Sequence, residues 1–124
     1  KDWFELYVAQ NVVLDGLLFA LAYGEVDRAL NAKAGPTVSM LTRFQAEWFQ
    51  DHCKWVDAVL KTAAAENPEN KALLQQWIAA WRAPADEALA PLASLALGDG
   101  AAAAMERVNA LLNARLAKAG LAAA

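Results

Sequence analysis

The sequence predicts an all-α protein, an antiparallel helical bundle. Three observations carry this reading. The chain is rich in Ala and Leu, with few turn residues and thinly scattered β-branched ones. Its first stretch, DWFELYVAQNVVLDGLLFALAY, is a long helix that is apolar almost all round. Between Pro36 and Glu66, polar residues recur at three- and four-residue steps, the mark of an amphipathic helix. With 124 residues the chain is long enough for one domain, and residues 1–124 are read as a single helical segment.

The first helix spans Asp2 to Tyr23. Trp3, Phe4, Tyr7, Val8, Val12, Leu14, Leu17, Leu18, Phe19 and Leu21 leave it no wide polar face. Such a helix is buried on most sides or sits in a membrane. Gln10, Asn11 and Asp15 interrupt the run, so it lacks the ~18 uninterrupted apolar residues of a membrane span. It is therefore a core helix with no membrane role. It needs neighbours on several sides, and a chain this short has few to offer. Gly16, Ala20 and Gly24 form a small-residue ridge that lets another backbone approach. Glu5 suits the positive end of the helix dipole. Gly24 either bends or breaks the helix. Glu25, Asp27 and Arg28 then start a short helical segment, which Gly35 ends as a C-terminal glycine.

Pro36 and Thr37 open the next helix, since proline lacks only a donor that the first turn does not use. Arg43, Glu47, Gln50, Lys54, Asp57 and Lys61 form its polar stripe, with Arg43–Glu47 and Asp57–Lys61 as i,i+4 pairs. The opposite face carries Leu41, Phe44, Trp48, His52, Trp55 and Val59, flanked by Phe49, Cys53, Val56 and Leu60. That face suits a bundle core. Asn67-Pro68 stops the helix. The third begins at Pro68 and Glu69, with Leu73, Leu74, Trp77, Ile78 and Trp81 on its apolar side. Pro84 and Pro91 each remove a donor and crowd the preceding turn, so a kink or break is expected and 85–97 reads as a separate or bent helix. Gly98-Asp99-Gly100 is a turn. The last helix runs from about Ala101 to Lys118, capped by Asp99, with Met105, Val108, Leu111, Leu112 and Leu116 on one side. Lys118 and Gly120 fit its C-terminus, and the final LAAA should fray.

Formal net charge is −3, which gives no basic footprint for nucleic acid. The one cysteine, Cys53, excludes an internal disulfide and points weakly to a reducing, cytoplasmic setting. Lys1 lies directly against a long helix, as in a piece of a longer chain. Five tryptophans, Trp3, Trp48, Trp55, Trp77 and Trp81, are many for this length. With the all-round apolar first helix they suggest a subunit that buries surface against partners. The contact candidates are Trp3, Phe4, Tyr7, Asn11, Asp15, Trp48, His52 and Trp55. The alternative is a stand-alone ligand- or protein-binding module with a pocket lined by Trp48, Trp55, Trp77 and Trp81.

No catalytic, metal or cofactor residues emerge. A di-iron bundle needs Glu from two helices and Glu-x-x-His from two others. The one histidine is His52, and Phe49, not Glu, stands three residues before it. Glu47 points about 140° away around the helix. His52 on an apolar stripe is by default a hydrogen-bonded core histidine, with a subunit contact as the alternative. Cys53 beside it is no dyad, because neighbouring helix positions diverge by about 100°; a small buried hydrophobe is the better reading. Gln10, Asn11 and Asp15 are buried polar candidates that need partners. Phosphate loops, nucleophile elbows and zinc spacings are absent from the sequence.

Two segments, DWFELYVAQNVVLDGLLFALAYG and KTAAAENPENKALLQQW, with LTRFQAEWF between them, make the chain similar to the β subunits of bacterial multicomponent phenol hydroxylases. These belong to the soluble di-iron monooxygenases. The likeness covers essentially the whole chain and corresponds to the C-terminal part of such a subunit. The resemblance implies a ferritin-like fold in a non-metal-binding copy of the α subunit, which holds the di-iron centre. The implied role is structural: packing against α, within a hydroxylase of α, β and γ chains that includes a second β. A regulatory protein and an NADH-dependent reductase complete the implied system. No ligand residue is carried over to this chain.

Overall fold

The computed structural model describes residues 2–122, and these form four helical rods with no strand among them. α1 spans Trp3–Asn31, α2 Pro36–Glu66, α3 Pro68–Leu97 and α4 Ala101–Lys118. Side-chain contacts fix their directions. Tyr7 meets Trp55, Phe19 meets Trp48, and Asn31 donates to Thr42, so α1 and α2 are antiparallel. Arg82 holds Asn109, and Gln75 reaches the Ala122 carbonyl, so α3 and α4 are antiparallel too. Gly16 lies under Leu112 and Arg115 while Glu25 binds Arg107, which sets α4 antiparallel to α1. The result is an up-down-up-down bundle.

α1 does not stop at Tyr23. It continues through Gly24 to Asn31, so no separate segment begins at Glu25. Two stretches, Val8–Leu14 and Ala20–Val26, are π-helical, with the Asp15 N–H donating to the Gln10 carbonyl five residues back. In an α-helix, four-residue steps drift by about 40° each. The wider π turns take up that drift. Val8, Val12, Leu17, Leu21 and Glu25 therefore stay on one buried side. Asp2 caps the start, its carboxylate accepting from the Phe4 N–H at 2.8 Å. Gly35 ends nothing: it is extended (φ −77°, ψ 176°) and precedes Pro36 as the first residue of the α2 entry.

Asn67 closes α2 and caps α3, accepting from the Asn70 N–H at 2.7 Å. α3 then runs unbroken through Pro84 and Pro91, against the expectation of a break or a separate helix over 85–97. Both prolines are exposed, as are residues 80 and 87, whose carbonyls lose a helical donor. Those carbonyls lie on the solvent side, where losing a helical donor costs least, so the helix survives. Gly98, at φ 55°, turns the chain through a short 3₁₀ segment into α4. Asp99 does not cap α4; Gly100 stands at that position, with no side-chain bond. At the far end the Leu121 N–H donates to the Leu116 carbonyl and the Gly120 N–H to the Ala117 carbonyl. With Gly120 at φ 80° this is a Schellman motif, sealed by buried Leu116 and Leu121. So Leu121 and Ala122 are tied down rather than frayed; Ala123 and Ala124, the rest of the expected fraying end, lie outside the described residues.

The core joins Leu17 of α1, Val56 and Leu60 of α2, Leu74 and Ile78 of α3, and Val108 and Leu112 of α4. Each such side chain contributes about 1.5–3 kcal/mol on burial. Trp3–Asn31 and the run Pro68–Lys118 are long and apolar enough, by length and composition, to cross a membrane. Here α1 uses that apolarity in the bundle core, and the second run is turned back at Gly98. Two ion pairs clamp the rods. Glu25 is buried and takes the Arg107 guanidinium at 2.7 and 3.1 Å. Asp57 takes Arg115 at 2.8 Å, in place of the expected Lys61.

Candidate functional site

Leu41, Phe44, Trp48, His52 and Trp55 fall within about 80° of one another around α2. The buried residues Val56 and Leu60, with half-buried Phe49 and Cys53, centre about 110° further round. The bundle packs on the flank, not on the stripe. Leu41, Phe44, Trp48 and Trp55 remain 60, 62, 52 and 50 % exposed. This corrects the reading of that stripe as core. An unpartnered apolar face and a core face share one periodicity, so the pattern alone does not separate them.

Across the seam, α1 contributes exposed Leu14 and half-buried Asp15. His52 stacks on Trp48 (5.4 Å, 18° between planes) and meets the edge of Trp55 (5.4 Å, 88°). Its Nε2 lies 3.9 Å from Asp15 Oδ2, with the two side chains 11 and 14 % exposed. That is too long for a hydrogen bond, and Nε2 is buried with no partner. The expected hydrogen-bonded core histidine is thus not what forms. Burial pushes the Asp15 carboxyl above its ordinary value, and His52 partly offsets this. The Tyr7 hydroxyl, next to Trp55, is also buried without a partner, and its pKa is raised by burial and then by the charge of Asp57.

The contact candidates therefore divide. Tyr7, Asp15, Trp48, His52 and Trp55 come together along the α1–α2 seam. Phe4 stacks on Tyr7, and Trp3 meets Phe4 edge-on at the exposed start of α1. Asn11 is half-buried, and Gln10 is exposed rather than buried. Trp77 lines a groove with Trp3 and Phe4, while the Trp81 indole donates to Glu5 at 3.1 Å. The four tryptophans of the binding-module alternative do not gather into one pocket.

A second feature is a groove of about 390 Å³, lined by Gly16, Ala20, Gly24, Phe49, Cys53 and Leu112, with the Asp57–Arg115 pair beside it. The small-residue ridge does admit a neighbour, as a Cβ on Gly16 would lie 3.3 Å from Arg115 and 3.4 Å from Leu112. At Gly24 nothing lies within 4 Å, and the groove opens. Burial pushes the Cys53 thiol up, Arg115 lowers it and Asp57 raises it; a neutral thiol is a poor nucleophile.

Among the described residues, no three His, Cys, Asp or Glu side chains are placed to hold a metal ion. The donor set does not fit a di-iron group: the buried Glu25 and the half-buried Asp57 are taken by arginines, and the lone histidine stands between indoles. Sequence reasoning missed the Glu25–Arg107 clamp and the cluster in which Arg82 binds Asn109 and Asn113. Both join residues too distant in sequence for spacing to reveal.

Among the described residues the bundle thus offers an exposed, ring-bearing seam and no cluster of metal ligands. The sequence profile of the methane/phenol/alkene hydroxylases matches residues 1–67. The chain belongs to the methane/phenol/alkene hydroxylase family. Within it, the chain is 46 % identical over 121 residues to the phenol 2-monooxygenase oxygenase component DmpL of Pseudomonas sp. strain CF600, covering 98 % of this chain and 36 % of that protein. It is 39 % identical over 97 residues to the oxygenase component MhpL of the Acinetobacter pittii PHEA-2 phenol 2-monooxygenase, covering 78 and 29 %. It is 28 % identical over 98 residues to the hydroxylase component subunit beta of the Ectopseudomonas mendocina toluene-4-monooxygenase system, covering 79 and 30 %. The chain spans about a third of the length of these hydroxylase relatives. No solved structure matches it.

Proposed function

We propose that this chain serves as a non-catalytic structural part, of β-subunit type, in the hydroxylase component of a multicomponent phenol or aromatic monooxygenase, packing against the di-iron α subunit in the cytoplasm. The observation that carries this reading is the exposed row Leu41, Phe44, Trp48 and Trp55. Contiguous exposed rings of this kind mark a surface that another protein covers. The kinship with phenol 2-monooxygenase oxygenase components supports the substrate class, phenol-like arenes. In this reading dioxygen chemistry belongs to the iron centre of α, and electrons come from NADH through a reductase. A γ chain, a second β and a regulatory protein complete the assembly. This chain holds shape: its core fixes the α1–α2 seam, and the seam supports the neighbouring helices.

The test is co-expression with the candidate α and γ subunits, followed by size-exclusion chromatography and iron analysis of each chain. Co-elution as one complex, with iron present only when α is present, is the expected result. A peak that ignores α overturns the reading. Stoichiometric iron on this chain alone overturns the assignment of a non-catalytic role.

A further inference from the structure

We infer that Asp15 and His52 share a single proton and so form a pH-operated latch between α1 and α2. Asp15 Oδ2 and His52 Nε2 lie 3.9 Å apart, both side chains are largely buried, and Nε2 has no other partner. When neither atom carries the proton, both are acceptors, and they stop short of bonding. One proton satisfies the two together. It sits on the carboxyl, which then donates to Nε2, or on Nε2, which then donates to the carboxylate. A small rotation of either side chain closes the gap to about 2.8 Å. The imidazole also lies flat on the Trp48 indole, with Trp55 at right angles to it. An indole face attracts such a ring once it is charged. Because both indoles touch the imidazole, closing the latch re-seats the exposed rings of α2.

Among the described residues, no other charge competes for the pair. Burial raises the Asp15 carboxyl, and His52 is the charge that draws it back. That moves the carboxyl toward the range in which imidazoles titrate, and two such groups this close take up protons as a unit. On α1, Tyr7 keeps its proton, since burial raises it, and Glu25 is held by Arg107. On α2, burial likewise keeps the Cys53 thiol neutral. Asp51 pairs there with Lys54, and Glu47 with Arg43. On α3, Arg82 binds Asn109 and Asn113, and Asp86 accepts from Asn109. On α4, Arg115 is taken by Asp57. Both partners of the latch belong to this chain. Further polypeptide laid over the seam, its own or a subunit's, would remove water and strengthen the shared bond.

The experiment uses the full-length chain and compares wild type, Asp15→Asn, His52→Gln and the double variant. Each is melted at about pH 5.5 and at about pH 8, on either side of the ordinary imidazole range. A raised carboxyl contributes stability at low pH and loses it as pH rises through the raised value. At the lower pH, Asp15→Asn is therefore expected to lose about 2–4 °C of thermal midpoint, and the double variant to fall no further than His52→Gln alone. At the higher pH, Asp15→Asn is expected to melt at or above wild type, and the two changes to add. A second readout needs only wild type and the near-isosteric Asp15→Asn: deuterium exchange at the imidazole C2 position of His52, followed by peptide mass spectrometry across pH. Its profile is expected to move to lower pH when the carboxylate is removed. An unmoved profile overturns the shared proton. So does a coupling that is equal at both pH values, because a neutral imidazole donor would then suffice. A loss in Asp15→Asn that is the same at both pH values and adds to that of His52→Gln means that another group holds the carboxylate, which overturns the latch.

Discussion

Glu25 and Asp15 sit ten residues apart on one helix and face opposite electrostatic fates. Glu25 is buried, but the Arg107 hydrogen bonds hold its carboxyl below the ordinary value, with the charges of Arg107 and Arg28 adding to this against desolvation. A depressed carboxyl pKa contributes stability above the unfolded-state value and loses it as pH falls through the folded value. Glu25→Gln should therefore lower stability at pH 7 by about 1–3 kcal/mol. The gap to wild type should close on acidification below the ordinary carboxylate range; urea midpoints across pH check both statements. Asp15 has the opposite sign: its raised pKa means the ionised form is disfavoured in the fold. Its contribution is present at low pH and is lost as pH rises through the raised value. Asp15→Asn should thus leave the unpartnered chain as stable as wild type, or more so, at pH 7, read as a thermal midpoint. Sequence alone marked Asp15 and His52 as polar residues in apolar surroundings. It did not reveal that they would approach and stop short of bonding, because that gap depends on how two helices set their distance.

At the scale of the helices, periodicity located α2 to its ends and failed inside α1 and α3. Proline and glycine were read by their average behaviour in an isolated helix. Packing overrode both, since α1 is held along its length by three other rods and the prolines of α3 face water. Gly24→Ala tests this directly. No atom lies within 4 Å of the new methyl group, so helix propensity should raise stability by about 1 kcal/mol, measured by urea titration. A loss instead would mean that the π stretch Ala20–Val26 requires glycine. Gly16→Ala should gain less, because Arg115 and Leu112 must shift from 3.3 and 3.4 Å. The stripe of α2 is the other lesson. Its residues were correctly identified as apolar and on one face, but the core lies on the neighbouring face. Only the positions of the other rods decide which face of an over-wide apolar surface is covered.

The whole molecule is a bundle whose class was legible from composition and patterning, and whose family was legible from two local segments. The apolar girth of α1 was legible too, and most of it is packed against the other three rods. What the pattern did not disclose was where the row of exposed rings would lie: along α2. An uncovered face links stability to assembly. Adding the partner subunits at about 100 times Kd should stabilise the fold by ~2.7 kcal/mol, seen as a thermal midpoint that climbs with partner concentration. A midpoint indifferent to them would remove the linkage. The π turns of α1 carry a different consequence. Each accommodates about one residue more than an α-helix of similar rise would hold. Chain length is therefore adjustable inside a core helix, where insertions and deletions are ordinarily confined to loops. Removing one residue from Val8–Leu14 would tighten that turn to α pitch without severing the rod, and would leave the side chains beyond it near their present direction, because the wide turn already holds the extra residue. Loss of a single codon there would keep Asp15 and Glu25 on their present sides, whereas the same loss in an α-helical stretch of α1 would re-aim them by about 100°.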